Sequence, residues 1–361
     1  MNQANYQNCL LGGAIGDALG APIEFMRRNE IVTKYGPQGI VDYLPAYGRL
    51  GAITDDTQMT LFTAEGLLRS YVRWSHRGII SVSDVTEYAY KRWLYTQEHS
   101  SPPPDSVPSH FDLDGWLITI PELYHRRAPG NTCLSALKAD LRSLPEGTPR
   151  NNSKGCGAVM RMAPVGLMKD VSRVFETGVE LAALTHGHPS GQLPAGVFAS
   201  VIRYLIDGDK LLEAIEKSIA ELKGCPRHQE TLDVLDLALD LAENKDISPV
   251  EAISRLGEGW VAEEALAISI YCSLVAKDFR EGVLMAVNHD GDSDSTGSIT
   301  GNILGLVYSL DSIPQGWLDN LELRDVISEI ACDLYNAPSW NIGGYPGCID
   351  DDWVWKKYPG C

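Results

Sequence analysis

Two short acidic segments of the sequence have the residue types of a metal site. Each combines aspartates with a hydroxyl residue and directly precedes an apolar, helix-like stretch. The two segments contain Thr54, Asp55 and Asp56, and Asp292, Asp294 and Ser295. Carboxylates resist ionising together when they lie within a few ångströms of one another, so joining the segments requires a cation between them. Because carboxylate and hydroxyl oxygens suit hard divalent cations, we predict a magnesium- or manganese-type site.

A glycine-rich segment near the start carries two further acids. Gly12, Gly16 and Gly20 recur at every fourth residue, so on a helix they line one face and allow close contact with another helix or a ligand. Asp17 lies within this segment, and we interpret it as a buried structural acid or a group that supports the site. Glu24 follows in a loop-like setting from which its carboxylate can reach the site, with an ordinary surface position as the alternative.

A third segment has the features of a phosphate-binding loop. Gly155, Cys156 and Gly157 enter a helix, and glycine-flanked loops of this kind expose backbone N–H groups that bind phosphate. Cys156 has no triad partners in the sequence, so we interpret it as a small packed thiol. Arg161 is interpreted as a structural ion-pair partner. His186 closes a helix, where the helix dipole favours it, and contact with a ligand hydroxyl is the functional alternative.

Helices are expected to position these residues, because apolar residues recur with the helical period along most of the chain. The helix-like stretches cover about 56–74, 84–97, 174–186, 194–207, 209–223, 230–243, 261–277, 279–289 and 326–334. Strand-like alternation over more than four residues is hard to find, so we predict an all-α fold. Irregular structure is predicted at 34–53, 98–116, 143–156 and 336–361.

No change of composition marks a linker, so we expect one domain over residues 1–361. Its last part, 336–361, is rich in aromatic residues, glycine and proline, and we expect this tail to cover the body of the domain. A loop on the substrate side of the site is the alternative for the tail.

The overall charge limits the classes of partner. The chain of 361 residues has 48 acidic and 30 basic residues, a formal net charge of −18. This field argues against non-specific binding to nucleic acid or to an anionic membrane. Neither a signal peptide nor an apolar run of 18 residues is found, and the eight cysteines include no C-x-x-C pair. We therefore expect a reduced, cytoplasmic location.

Taken together and in this order, the segments resemble the ADP-ribosylglycohydrolase family. The resemblance extends from about residue 8 to about residue 308, and the motifs that carry it are 16–20 with Glu24, 54–57, 157–166, 185–186 and 291–295. It implies a compact, orthogonal all-α bundle with two Mg²⁺ or Mn²⁺ ions in a central cleft. This chain has Asp290 where the family often has glycine, and serine where it often has threonine at 295. Serine keeps the oxygen donor, whereas the role of Asp290 is open.

The family pattern also assigns roles to individual residues. The implied metal ligands are Thr54, Asp55, Asp56, Asp292, Asp294 and Ser295. The implied catalytic residues are Glu24, Asp56 and Asp292, one of which gives or takes a proton. Substrate contact is implied for Gly155, Cys156, Gly157 and His186, with the backbone N–H groups of this loop on the diphosphate.

The function implied by the resemblance is metal-dependent hydrolysis of the N-glycosidic bond between ADP-ribose and a protein side chain, with arginine expected. An ADP-ribosylated protein is then the substrate, and a cognate ADP-ribosyltransferase is a further possible partner. Three alternatives stay open: an antidote protein that blocks such a transferase, a non-hydrolysing ADP-ribose binder, and a metal-dependent phosphohydrolase acting on nucleotides. The choices between arginine and serine, and between Mg²⁺ and Mn²⁺, are also open.

Overall fold

The computed structural model describes residues 2–78, 80–104, 113–139, 149–309, 312–342 and 352–360. These residues form seventeen α-helices and no sheet beyond two isolated bridges, which confirms the all-α prediction. The helices are α1 (Gln3–Gly20), α2 (Arg28–Tyr35), α3 (Asp55–Arg77), α4 (Val82–Glu98), α5 (Asn131–Lys138), α6 (Ala163–Leu167), α7 (Val174–Ala183), α8 (Pro189–Asp207), α9 (Leu211–Lys223), α10 (Gln229–Glu243), α11 (Pro249–Leu256), α12 (Ala262–Val275), α13 (Phe279–Val287), α14 (Ser293–Val307), α15 (Gln315–Asn320), α16 (Arg324–Asn336) and α17 (Asp352–Lys357).

The helical period located most of the long helices, and errors arose mainly at their ends. Helix α8 begins five residues before the predicted start at 194, because His188 caps the amide of Ser190 and Pro189 occupies the first turn. Pro194 lies inside this helix. The tail from 336 onwards is not wholly irregular, since it contains α17. Residues 143–148 of the irregular stretch predicted at 143–156, and residues 105–112 of the one predicted at 98–116, lie outside the described residues.

Helices α1 and α14 form the closest contact relevant to the site. They run antiparallel, with Gly12 against Gly301 and Gly16 against Gly297. A Cβ atom added to Gly16 would lie 1.9 Å from the carbonyl oxygen of Gly297, and one on Gly301 would lie 2.0 Å from that of Gly12. Only glycine permits this approach of two backbones. The contact explains the four-residue glycine repeat and places the end of α1 beside the start of α14.

Both acidic segments lie at helix starts in the interior of the protein. Thr54 caps α3, and its hydroxyl accepts a hydrogen bond from the amide of Asp56 at 3.3 Å. Asp292 caps α14 and accepts from the amide of Ser295 at 3.3 Å. Side-chain capping satisfies amides that have no partner within the helix. The positions of these acids are therefore fixed by rigid elements rather than by mobile loops.

The described part of the C-terminal tail packs against the helices. Val354 and Tyr358 are fully buried and belong to the same hydrophobic cluster as Tyr6 of α1. The hydroxyl of Tyr358 donates to Asp333 of α16 at 2.5 Å. Among the described residues, no helix is both long and apolar enough to cross a membrane.

Candidate active site

Asp17 holds the start of α3 in place. Its carboxylate accepts hydrogen bonds from the amide and the hydroxyl of Thr54, at 3.0 and 2.8 Å, and from those of Thr57, at 3.1 and 2.5 Å. Four donors on one buried carboxylate fix the first turn of α3 relative to α1. Asp17 thus has the geometry of the structural acid expected from the sequence.

The end of α1 and the starts of α3 and α14 bring the predicted acids together. Carboxylate oxygens of Glu24, Asp292 and Asp294 all lie within 4.8 Å of one another. Burial, and next the charge of Asp294, raises the pKa of both Asp55 and Asp56. The two segments, about 235 residues apart in sequence, therefore belong to one group of carboxylates, which we call the acidic cluster. Its members are Asp17, Glu24, Asp55, Asp56, Asp292 and Asp294.

Electrostatics make the acidic cluster unfavourable on its own. Burial, followed by repulsion from Asp294 and other carboxylates, raises the pKa of Glu24 to about 11. Burial and Asp294 likewise raise the pKa of Asp17 to about 7, against the lowering effect of its hydrogen bonds. Two buried oxygens, Oδ1 of Asp56 and Oε2 of Glu24, have no hydrogen-bond partner. Such orphaned acceptors are costly unless a cation or proton occupies the space between them.

Hydroxyl and thiol groups complete the lining. The hydroxyl of Thr54 lies 3.4 Å from Oδ2 of Asp56. Cys156 donates its thiol hydrogen to Oδ2 of Asp292 at 2.7 Å, and the hydroxyl of Ser295 lies 3.7 Å from its sulfur. Burial and the Asp292 charge raise the pKa of the Cys156 thiol well above its usual range. A protonated thiol of this kind is a poor nucleophile, in line with a packed rather than a reactive cysteine.

Backbone amides of the loop from Gly155 to Gly157 make more hydrogen bonds within the protein than the sequence suggests. The amide of Gly155 donates to the Ser153 hydroxyl at 3.2 Å, and that of Cys156 donates to the carbonyl of Trp260 at 3.2 Å. These two amides are therefore not available as the phosphate cradle that the glycine pattern predicted. The Cys156 amide is occupied because Gly155 and Val261 form a β-bridge, which no local pattern reveals, whereas the Gly155 amide is occupied by the hydroxyl two residues before it. Contact of these residues with a substrate stays a prediction.

His186 lies against the same loop. A Cβ atom on Gly155 would lie 3.3 Å from its Nε2, and one on Gly157 would lie 3.5 Å from its Cε1, so the edge of this buried ring packs against the two glycines. Burial, together with the charge of Arg161, lowers the pKa of His186 to about 3, so the imidazole is neutral at pH 7. The Thr185 hydroxyl lies 2.9 Å from Nδ1. That hydroxyl also accepts a hydrogen bond from Arg161 at 2.7 Å and lies 3.4 Å from the Ala182 carbonyl oxygen, so Thr185 holds the imidazole through Nδ1 and Nε2 faces the loop.

Arg161 is structural, but the expected carboxylate partner is wrong. Its guanidinium donates to the Gly157 carbonyl at 2.8 Å, the Thr185 hydroxyl at 2.7 Å and the Tyr90 hydroxyl at 3.0 Å. Longer contacts of 3.4–3.5 Å reach the Leu181 carbonyl and the sulfurs of Met59 and Cys133. Its charge also lies over the Tyr90 ring, 4.3 Å from the centroid. Arg161 thus ties the loop at 155–157 to the turn that carries His186, which follows α7 because that helix ends at Ala183 rather than at the predicted 186.

Several residues that support the site carry no recognisable sequence signal. Glu322 is buried, accepts from the amide of Ile53 at 3.1 Å and pairs with Arg127, whose guanidinium donates to the Ile53 carbonyl at 2.9 Å. This pair fixes the residue just before Thr54.

Asp290, whose role was open, accepts from the amide of Arg28 at 2.8 Å and so holds the start of α2. Charged residues far apart in sequence give no local pattern, and only the fold joins them.

Comparison with known proteins gives the family of the chain. A family model described as ADP-ribosylglycohydrolase matches residues 2–342. The chain is 26% identical over 324 residues to an ADP-ribosyl-[dinitrogen reductase] glycohydrolase of Rhodospirillum rubrum, covering 87% of this chain and 89% of that protein. It is 27% identical over 339 residues to an ADP-ribosylarginine hydrolase of Serratia proteamaculans, covering 92% and 79% respectively.

A solved structure titled as an ADP-ribosylglycohydrolase-related protein complex superposes with a TM-score of 0.60 at 25% identity. The superposition covers 93% of this chain and 98% of the other. Since one family model and one fold both extend over nearly the whole length, this chain belongs to the ADP-ribosylglycohydrolase family.

Proposed function

We propose that this protein hydrolyses the N-glycosidic bond between ADP-ribose and an arginine side chain of a modified protein. Membership of the family supports ADP-ribosyl hydrolysis in general. The observation that carries the narrower proposal is the acidic cluster, in which six buried carboxylates crowd together. A cationic guanidinium leaving group is favoured beside such a field, whereas the neutral hydroxyl of serine gains nothing from it. Similarity to a protein named ADP-ribosylarginine hydrolase points the same way.

Divalent cations fit the acidic cluster, and we assign them to it. The orphaned oxygens of Asp56 and Glu24 and the raised carboxyl pKa values are the marks of a missing positive charge. All the donors are oxygens, which suits Mg²⁺ or Mn²⁺. The proposed ligands are Thr54, Asp55, Asp56, Asp292, Asp294 and Ser295. Bound there, a pair of such ions would offset part of the charge of the six carboxylates, orient oxygen ligands and lower the pKa of water.

The chain's own groups then bind the substrate and move protons. Glu24 lies in the loop after α1 with one carboxyl oxygen unpartnered, so we assign it the proton transfer at the scissile bond. Asp56, with its own orphaned oxygen, and Asp292 are the other two candidates for that step. Asp17 contacts Thr54 and Thr57 rather than open space, so it is a positioning residue. Its role is to keep the start of α3 at a fixed distance from Glu24.

His186 and the adjoining loop are assigned to the ADP-ribose side. Neutral at pH 7, His186 offers Nε2 for a hydrogen bond with a ribose hydroxyl or, in its Nε2–H tautomer, with a phosphate oxygen. Gly155 and Gly157 border this ring edge without side chains of their own, and we assign them and Cys156 to the same side of the substrate. An ADP-ribosylated protein is the proposed partner. A cognate ADP-ribosyltransferase and a cytoplasmic location stay predictions from the sequence.

Release of ADP-ribose from an ADP-ribosyl-arginine peptide tests the proposal. We expect hydrolysis with Mg²⁺ or Mn²⁺, loss of activity with a chelator, and recovery when the metal is restored. The Asp55→Ala/Asp292→Ala variant should be inactive, because both halves of the acidic cluster lose a carboxylate. Full activity of that variant contradicts the metal assignment. Release of AMP instead of ADP-ribose would identify a phosphohydrolase.

A further inference from the structure

An exposed aromatic pair borders the acidic cluster. Phe25 and Trp260 lie 235 residues apart in sequence, yet their rings stack with centroids 6.0 Å apart and planes 17° from parallel. Phe25 is 74% exposed and Trp260 is 38% exposed. Single exposed apolar residues are common, but two aromatic faces from distant segments form a contiguous surface of the kind used in recognition. We call this pair the aromatic platform.

Both rings are attached to the acidic cluster through their own segments. Phe25 directly follows Glu24. The carbonyl of Trp260 accepts from the amide of Cys156 at 3.2 Å, and the thiol of Cys156 donates to Asp292 at 2.7 Å. In addition, the amide of Asp292 donates to the carbonyl of Glu258 at 2.9 Å. The aromatic platform therefore lies at the edge of the cluster, and its position is coupled to that of Asp292.

The surroundings of the aromatic platform favour a planar cation. Glu258 lies beside Trp260 in sequence and already pairs with the guanidinium of Arg27, across the same two segments that carry the rings. Glu24 directly precedes Phe25, and Asp292 hydrogen-bonds to the segment that carries Trp260. Guanidinium groups stack on aromatic faces and pair with carboxylates at the same time. A neutral adenine base would stack on the rings but would not be attracted by the carboxylates.

We infer that the aromatic platform, Phe25 with Trp260, binds the guanidinium of the arginine from which ADP-ribose is removed and thereby selects arginine over uncharged side chains. This inference rests on the proposed function and adds the residues that recognise the leaving group. Phe25 and Trp260 act in binding, outside the proton transfer and metal ligation assigned above. Their loss should therefore change the affinity for one class of substrate.

Kinetics with two peptides of one sequence, ADP-ribosylated on arginine or on serine, test the inference. For Phe25→Leu and Trp260→Leu, we expect KM for the arginine peptide to rise about two- to fivefold each, the effect of one exposed cation–π contact. Activity on the serine peptide and the affinity for free ADP-ribose should not change. Trp260→Phe keeps an aromatic face and should restore most of the affinity. Trp74→Leu, at the far end of α3 and 51% exposed, is the matched control and should behave as wild type.

Equal effects on both peptides, or weaker binding of free ADP-ribose, would assign the aromatic platform to adenine and overturn the inference. Unchanged KM in both leucine variants would also overturn it. If wild type cleaves neither peptide, the proposed function fails, but titration with agmatine still decides the inference. Agmatine carries the guanidinium and needs no hydrolysis. Weaker agmatine binding by Phe25→Leu and Trp260→Leu supports a guanidinium site there, and equal binding excludes it.

Discussion

Replacing Gly16 by alanine tests whether the contact between α1 and α14 holds the two halves of the acidic cluster together. The added Cβ would lie 1.9 Å from the Gly297 carbonyl oxygen, whereas ordinary contact begins at 3.4 Å, so the helices must separate by about 1.5 Å (3.4 − 1.9). The clash involves backbone, and no rotamer change relieves it. Overpacking costs about 1–3 kcal/mol, and this rigid contact belongs at the upper end.

Alanine has a higher helix propensity than glycine, which stabilises the variant by about 1 kcal/mol. We therefore expect Gly16→Ala to lower the free energy of unfolding by about 2 kcal/mol, the overpacking cost less the propensity gain. The separation also moves Asp17 and Glu24 away from Asp292 and Asp294, so stabilisation by added Mg²⁺ should fall as well. Urea unfolding with and without Mg²⁺ measures both effects.

The matched control is Gly316→Ala. Gly316 lies in α15, and no atom lies within 4 Å of a Cβ added there. The same substitution should therefore stabilise the protein by up to about 1 kcal/mol through helix propensity alone. If Gly16→Ala is as stable as wild type and responds to Mg²⁺ in full, the proposed coupling between the helix contact and the acidic cluster is refuted.

Three further outcomes are expected. In a chelator, the stability of the fold should fall as the pH rises. The pKa of Glu24 is raised to about 11 and that of Asp17 to about 7, so the folded state holds protons that the unfolded state releases near pH 4. The stability that these protons contribute is lost as the pH rises through the pKa values of the folded state. The midpoint of urea unfolding should therefore be lower at pH 8 than at pH 5, and added Mg²⁺ should raise it more at pH 8. A midpoint that does not change with pH would contradict this expectation. Asp17→Asn places a donor amide among four donors, so calorimetry should show a free energy of unfolding lower by about 2–3 kcal/mol, and metal binding should weaken. An unchanged melting temperature would show that the hydrogen bonds of Asp17 are dispensable. Cys156→Ala should keep at least about half of wild-type kcat, because its protonated thiol is no nucleophile; a loss on the order of a thousandfold would assign it to the chemistry.

The helical class and the acids of the site were predictable because their signals are local. A period of 3.6 residues identifies a helix such as α3, and the aspartates beside Thr54 and Ser295 stand at helix starts that short patterns reveal. The supporting contacts were not predictable. The pairing of Arg127 with Glu322 joins residues 195 positions apart. The bridge from Gly155 to Val261 removes the Cys156 amide from the predicted cradle for a reason that lies 106 residues away.

Helix α1 is made from residues 3–20 and α14 from residues 293–307, yet each needs the other's glycines to pack. During synthesis the first helix must therefore wait for nearly three hundred further residues before its partner exists. Contacts of such separation carry a large loop-closure entropy and form late. The acidic cluster is consequently absent from any shorter nascent chain. The metal binding proposed for the acidic cluster therefore requires a chain that has been made at least as far as the start of α14.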